Sequence, residues 1–249
     1  MGKVVAIGGG DIRKRSTAAI DKEIIRLSGK RHPCFLFIPT ASSDYERYWD
    51  VIKKYYEQLG CKADVLFLIR QKPTHQEIRD KILKADIIYV GGGNTLMMMK
   101  LWKKRGVDVL LKQAHKKNVV LCGMSAGSIC WFNSGHSDSM SFYHPKRWRY
   151  INVRGLGLIK GIHCPHFNGQ TLWKKRRGDF QKMIKMVGGF GIAIDNDCAI
   201  EFVNGQYRVI ASRESANAYK VFKRGGHVVV EKLLKTKNLA SLSQLYLKT

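Results

Sequence analysis

Gly123-Met124-Ser125-Ala126-Gly127 follows the apolar run Val119-Val120-Leu121-Cys122, so a serine sits where a strand is expected to give way to a helix. The pattern is G-x-S-x-G, and strand context turns that common pentapeptide into a nucleophile-elbow candidate. Flanking glycines admit a sharp turn without a Cβ clash, and the free backbone N–H groups of a helix start can face an anion. The chemistry such a serine would do is acyl transfer. Its hydroxyl attacks poorly unless a base takes the proton, and the oxyanion that forms needs two preorganised donors. One expected donor is the amide of Ala126. The second is expected from Gly91-Gly92-Gly93, a glycine run that ends a neighbouring strand. Such a run also suits a phosphate-binding turn, but no Lys-Ser or Lys-Thr follows it, which excludes a P-loop.

Eight histidines compete for the role of base. His166, in Cys164-Pro165-His166-Phe167-Asn168, ends an apolar stretch. His163 lies three positions earlier, and His136 and His144 fall in the region after the serine. Spacing does not choose among them. For the orienting group the candidates are Asp138, in Ser137-Asp138-Ser139, and the cluster Asp195-Asn196-Asp197; each also suits a turn. A chain order of serine, histidine, acid would differ from that of the α/β-hydrolases.

The elements that must position these residues are readable in outline. Short apolar runs at 4–7, 34–38, 63–68, 87–90 and 119–122 predict strands buried on both faces, which belong in a parallel sheet. Between them lie helical stretches at 16–27, 44–59 and 74–84, and a pair over 94–115 divided near Gly106. Thr74 followed by Glu77 is a capping-box pattern, and Gly29 and Gly60 stand where helix C-caps belong. This alternation predicts an α/β protein with a doubly wound, mostly parallel sheet. Ligands in such sheets sit at the carboxyl ends of the strands, where the loops at 8–11, 39–43, 91–95 and 123–127 converge. After residue 131 the pattern changes to loops and one helix near 173–186. A strand-rich final third follows, with Asn204-Gly205 as a hairpin turn. With no linker or repeat, the expectation is one domain over residues 1–249.

Composition narrows the classes. Of 249 residues, 45% are hydrophobic and 25% charged, enough for a well-buried core. No apolar run approaches the ~20 residues that span a bilayer, and the opening residues lack the pattern of an export signal. A cytosolic location, without membrane association, is expected. Six dispersed cysteines form no C-x-x-C pair or zinc-like cluster, so reduced thiols are expected, with no metal and no cofactor. The formal net charge of +25 attracts polyanions nonspecifically, nucleic acid among them. The basic residues fall in short groups without an RNA-binding aromatic signature or zinc finger, which reads as a solvated basic surface.

Taken together, Ile38-Pro39-Thr40-Ala41-Ser42, Val90-Gly91-Gly92-Gly93-Asn94-Thr95, Gly123 to Gly127, Pro165-His166-Phe167 and Gly191-Ile192-Ala193-Ile194-Asp195 resemble, in order, the blocks of the S51 serine peptidases. That family includes peptidase E (aspartyl dipeptidase) and cyanophycinase, and the likeness is to its peptidase E-like branch in Gram-positive bacteria. The resemblance implies a flavodoxin-like sheet related to class I glutamine amidotransferases, with extra C-terminal strands and no cofactor. It implies Ser125 as nucleophile and His166 as base. For the third group it implies Asp138, matching the aspartate of peptidase E, or the 195–197 turn, where the glutamate of cyanophycinase-like members falls at Asn196. The expected function is hydrolysis of small peptides, with an N-terminal aspartate preferred, by a homodimer. Two other readings are a noncatalytic polyanion-binding protein on the same fold and an esterase or amidase of non-peptide substrates.

Overall fold

The computed structural model describes residues 2–246. Strands β1 (Lys3–Ile7), β2 (Cys34–Ile38), β3 (Lys62–Val65), β4 (Ile87–Val90) and β5 (Val120–Met124) occupy the first half. They alternate with helices α1 (Ala18–Ser28), α2 (Glu46–Gln58), α3 (His75–Lys84), α4 (Thr95–Arg105) and α5 (Val107–Lys116). A single-turn helix α6 (Ala126–Ile129) follows, then β6 (Phe132–Ser137), β7 (Ile151–Arg154), β8 (Ile159–Cys164) and the short pair β9 (Gln170–Thr171) and β10 (Lys174–Lys175). Helix α7 (Arg176–Val187) leads to β11 (Phe190–Ile194), β12 (Cys198–Val203), β13 (Gln206–Ala211), β14 (Ala218–Arg224) and β15 (His227–Lys232). Strand β16 (Ala240–Ser241) and helix α8 (Leu242–Tyr246) complete the described chain.

The strands form two principal sheets, so the fold is mixed α/β. The first has the order β16-β13-β12-β1-β5-β4-β2-β3, in which β1, β5, β4, β2 and β3 pair in parallel. Strands β12, β13 and β16 extend it antiparallel. The second sheet, β15-β14-β11-β8-β6-β7, is parallel only where β8 pairs with β6 and β11. This differs from the expected single sheet with added strands. Strand β6 reads Phe-Asn-Ser-Gly-His-Ser, and its Gly135, His136 and Ser137 are buried, so polar residues that read as loop lie in a sheet interior. At the third strand the expectation to residue 68 was too long. Pairing stops at Val65, although Leu66 still donates its amide to Phe37 O at 2.9 Å and Leu66 to Leu68 stay buried.

Side-chain alternation along β1 divides the core. Val5 and Ile7 pack with Phe35, Phe37 and Tyr89 under α1 and α2. Val4 and Ala6 face the other way, with Leu36, Ile88 and Leu121, toward α3 to α5 and toward Phe132, Ile159 and Ile192 of the second sheet. A smaller cluster packs the far side of that sheet against Phe180 and Ile184 of α7. Local signals behave as their chemistry requires. Thr74 and Glu77 close a reciprocal capping box, Gly106 in the left-handed region separates α4 from α5, and Asn204-Gly205, both at positive φ, turn β12 into β13.

Candidate active site

Strand β1 ends on three carbonyls that receive three amides. Ile7 O accepts from Ser125 N at 3.3 Å, Gly8 O from His166 N at 2.9 Å, and Gly9 O from Asp197 N at 2.8 Å. One strand end therefore gathers the tip of β5, the segment after β8 and the turn between β11 and β12. A side chain would prevent this. A Cβ on Gly9 would lie 2.0 Å from Asn196 Oδ1 and 2.2 Å from His166 Nδ1, so the glycine backbone seats directly against that pair. The run at 8–10 read only as a loop in the sequence; its use is close approach.

Ser125 stands between β5 and α6 with φ 58° and ψ −114°. For a residue with a Cβ such a backbone costs about 1–3 kcal/mol and persists only where the surroundings enforce it. The strained residue is the serine itself, whereas the flanking glycines serve closeness: a Cβ on Gly123 would lie 2.5 Å from Gly127 O, and one on Gly127 would lie 2.0 Å from Val90 O. Ala126 opens the first turn of α6, where backbone amides lack partners within the helix.

The three glycines after β4 are not equivalent. Gly91 donates its amide to Ile38 O at 3.2 Å, continuing the sheet ladder. Gly93, at φ +137°, packs so tightly on Ala41 that a Cβ would lie 2.1 Å from its carbonyl oxygen. Gly92 is the one beside the serine, with 3.4 Å between its would-be Cβ and Ser125 Cβ. Of the three glycines grouped together in the sequence, Gly92 thus lies nearest the serine, and Gly91 has spent its amide on the sheet. Tyr48 was not foreseen here. Burial pushes its phenol up to about 12, opposed by a hydrogen bond from the Gly92 backbone.

His166 lies in the left-handed region at φ 50°, and its Nδ1 is 2.6 Å from Asn196 Oδ1. An amide oxygen only accepts, so Nδ1 carries the proton and Nε2 keeps its lone pair. Burial, together with the Arg176 charge, lowers the imidazole pKa to about 4, against the stabilising pull of Asn196 and Asp138.

The remaining candidates divide by their partners. Asp138 Oδ2 accepts from Arg176 Nη2 at 2.7 Å and Thr171 Oγ1 at 2.8 Å, so it serves as counter-ion to an arginine only 1% exposed. Asp195 accepts from Asn217 N at 3.0 Å and Tyr219 Oη at 3.3 Å, on the far side of its strand end. Asp197 accepts from Ser16 Oγ at 2.5 Å and pairs with Arg213. Of the candidates in this turn it is Asn196, not Asp195, whose side chain meets the imidazole, because successive residues of a tight turn point their side chains in different directions. His163 is buried between Ser128 Oγ at 2.8 Å and Ile192 O at 2.9 Å, and burial lowers its pKa to about 3. His136 meets Asp179 at 2.9 Å, and His144 is exposed. The partners of Arg176 and the seat at Gly9 were not legible in the sequence. A glycine run at a strand end was the one available signal for the latter.

The family model for peptidase family S51 matches residues 4–210. The uncharacterized peptidase YgaJ of Bacillus subtilis (strain 168) is 34% identical over 226 residues, covering 89% of this chain and 92% of that one. Peptidase E of Shewanella denitrificans is 25% identical over 155 residues, 60% of this chain and 63% of its own length. Among solved structures, a peptidase from an acI-B1 Actinobacterium superposes with a TM-score of 0.71 at 19% identity, covering 97% of each chain; at that identity the likeness is one of fold. Fold and relatives together define an α/β hydrolytic protein of the peptidase class. The chain belongs to peptidase family S51.

Proposed function

We propose that this peptidase is a serine enzyme for small peptides, in which Ser125 attacks, His166 is the base and Asn196 orients the base. The observation that carries the reading is the attachment of Ser125 N and His166 N to the successive carbonyls of Ile7 and Gly8, with Asn196 Oδ1 on His166 Nδ1. Neutral Nε2 takes the Ser125 hydroxyl proton as Oγ bonds to the scissile carbonyl carbon. The oxyanion is held by the amides of Ala126 and Gly92, the latter exchanging the Tyr48 phenol for the oxyanion. Collapse of the tetrahedral adduct breaks the C–N bond, and the proton passes from Nε2 to the departing amine. Water, deprotonated by the same nitrogen, then releases the acyl group from Oγ. The five parallel strands are read in the same proposal as the flavodoxin-like sheet of the class I glutamine amidotransferases.

An aspartate as first residue of the substrate is part of this reading, as in peptidase E. Arg176 is buried and paired with Asp138, whereas Arg147 and Arg149 are exposed, so the preference rests on the likeness to peptidase E. The test is a panel of Asp-Xaa and non-acidic dipeptides, combined with fluorophosphonate labelling read by mass spectrometry. Labelling of Ser125 and cleavage of the Asp-Xaa members are expected. Absence of both sinks the reading, and a salt-sensitive gel shift with nucleic acid that persists in Ser125→Ala would then favour a noncatalytic protein.

Two expected results follow from the base. Protonation removes the Nε2 lone pair, so kcat/KM falls as the pH drops through the His166 pKa, with an acid-limb midpoint near 4. A midpoint at the ordinary histidine value would contradict the burial of this imidazole. Asn196→Asp replaces a neutral acceptor with a carboxylate, which favours imidazolium. Its acid limb should move toward neutrality by about one pH unit or more, and kcat should rise about tenfold, the equivalent of one pKa unit of stabilisation for the charged base. A pH–rate series on both proteins decides it. An unmoved limb would mean that Asn196 does not face the working imidazole.

A further inference from the structure

Three large aromatic side chains stand in solvent around one groove at the carboxyl ends of the strands. Tyr45 is 52% exposed, Phe142 56% and Tyr143 51%. With Ala41, Gly93 and Met97 they line a cavity of about 550 Å³. It shares the glycine loop with the candidate site: Gly93 lines the groove, and the preceding Gly92 lies beside Ser125. Its wall belongs to the same framework. Phe142 and Tyr143 lie four and five residues after Asp138, at the end of a short turn in which the Asp138 carbonyl accepts from Ser141 N at 2.8 Å, and Ser139 Oγ accepts from Leu96 N at 3.0 Å at the start of α4.

Exposed aromatics cost free energy in water, and a clustered apolar patch beside polar surroundings marks a place where something apolar sits. Tyrosine and phenylalanine also give contact area at low entropic cost, each having two side-chain torsions. The groove adjoins the loop assigned as oxyanion donor, so its natural occupant is part of the substrate. We propose that it is the subsite for the residue on the leaving side of the scissile bond, and that this residue is aromatic or large and aliphatic. The inference rests on the reading of Ser125 as a peptidase nucleophile with an acidic first residue, and it names the second residue of the substrate class as Phe, Tyr, Trp or Leu.

The experiment compares kcat/KM for Asp-Phe, Asp-Leu, Asp-Ala and Asp-Ser in the wild-type protein, in Phe142→Ser/Tyr143→Ser and in Phe142→Leu. Covering an aromatic side chain supports roughly tenfold discrimination or more. The Asp-Phe to Asp-Ala ratio should therefore be about ten or higher in wild type. It should collapse toward one in the double variant, mainly through KM, and largely return in Phe142→Leu. Fluorophosphonate labelling of each protein shows that Ser125 is intact. Cleavage of all four dipeptides at similar rates, or a ratio that the double variant leaves in place, overturns the subsite while sparing the peptidase reading. Labelling of Ser125 without cleavage of any dipeptide overturns the substrate class. Neither labelling nor cleavage overturns the peptidase reading itself, and the subsite falls with it.

Discussion

Ser125→Ala is expected to lower kcat for dipeptide hydrolysis by roughly 10⁴-fold or more, the scale at which loss of a serine nucleophile acts in other hydrolases. The reason is the division of labour at the strand ends. In the proposed mechanism the hydroxyl is the only group of the site that forms a bond to carbon, and the helix-start amide, Gly92 and His166 serve only the species it creates. Removing His166 as well should cost little more, because a base without its nucleophile has nothing to activate. The backbone is expected to survive, since Ser125 N remains attached to Ile7 O and alanine carries the same Cβ strain at φ 58°. Steady-state rates for Ser125→Ala, His166→Ala and the double variant, with unfolding curves for each, make the comparison. Retained hydrolysis in Ser125→Ala would remove the serine from the mechanism. Strictly multiplicative losses would mean that the two side chains do not act as a unit.

The second large effect is on stability. Gly127→Ala places a methyl 2.0 Å from Val90 O and 2.6 Å from Val90 C. Both are backbone atoms of β4, whose four residues are buried, so no flexible side chain can swing aside. Helix α6 must retreat from the sheet, taking the Ser125 turn with it, at a cost of about 3 kcal/mol. For a protein of this size the melting temperature should fall by roughly 10 °C. The matching control is Gly178→Ala in α7, where a Cβ would meet nothing within 4 Å and alanine is the better helix former by about 0.5–1 kcal/mol. The two substitutions are chemically identical and should have opposite signs in a urea titration. Equal midpoints would show that α6 does not press on β4.

Much of this was legible beforehand, and the reason is locality. Val119 to Gly127 announces both the strand and the turn because period and glycine spacing are properties of neighbouring residues, and Thr74 with Glu77 announces a cap for the same cause. What stayed hidden depends on residues far apart in the chain. Strand β6 was invisible because Ser137 and His136 are polar, and only their partners Thr95, Ser139 and Asp179 make burial tolerable. The partner of the imidazole was equally non-local. The 195–197 turn offers three side chains, and nothing in its own sequence tells which one faces residue 166, since that depends on how β11 and β12 enter different sheets. Asn94, by contrast, was half legible: it caps α4 by accepting from Met97 N at 3.1 Å, which its type suggests, while its amide on Ala41 O at 2.7 Å required the structure.

The end of β1 bears also on the order in which the protein comes into being. This strand carries the first described residues of the chain, yet its neighbours arrive late: Lys3 pairs with Val120 on one side and with Val203 on the other. Pairings of such sequence separation are slow, because the connecting chain loses its entropy before the contacts reward it. The carbonyls of Ile7, Gly8 and Gly9 consequently wait for partners from three later regions, and the last of these belongs to the turn at Asp197. During synthesis the serine is made well before the histidine, and the histidine before the residue that aims it. On the proposed mechanism, the site is complete only once the chain has been made as far as the 195–197 turn.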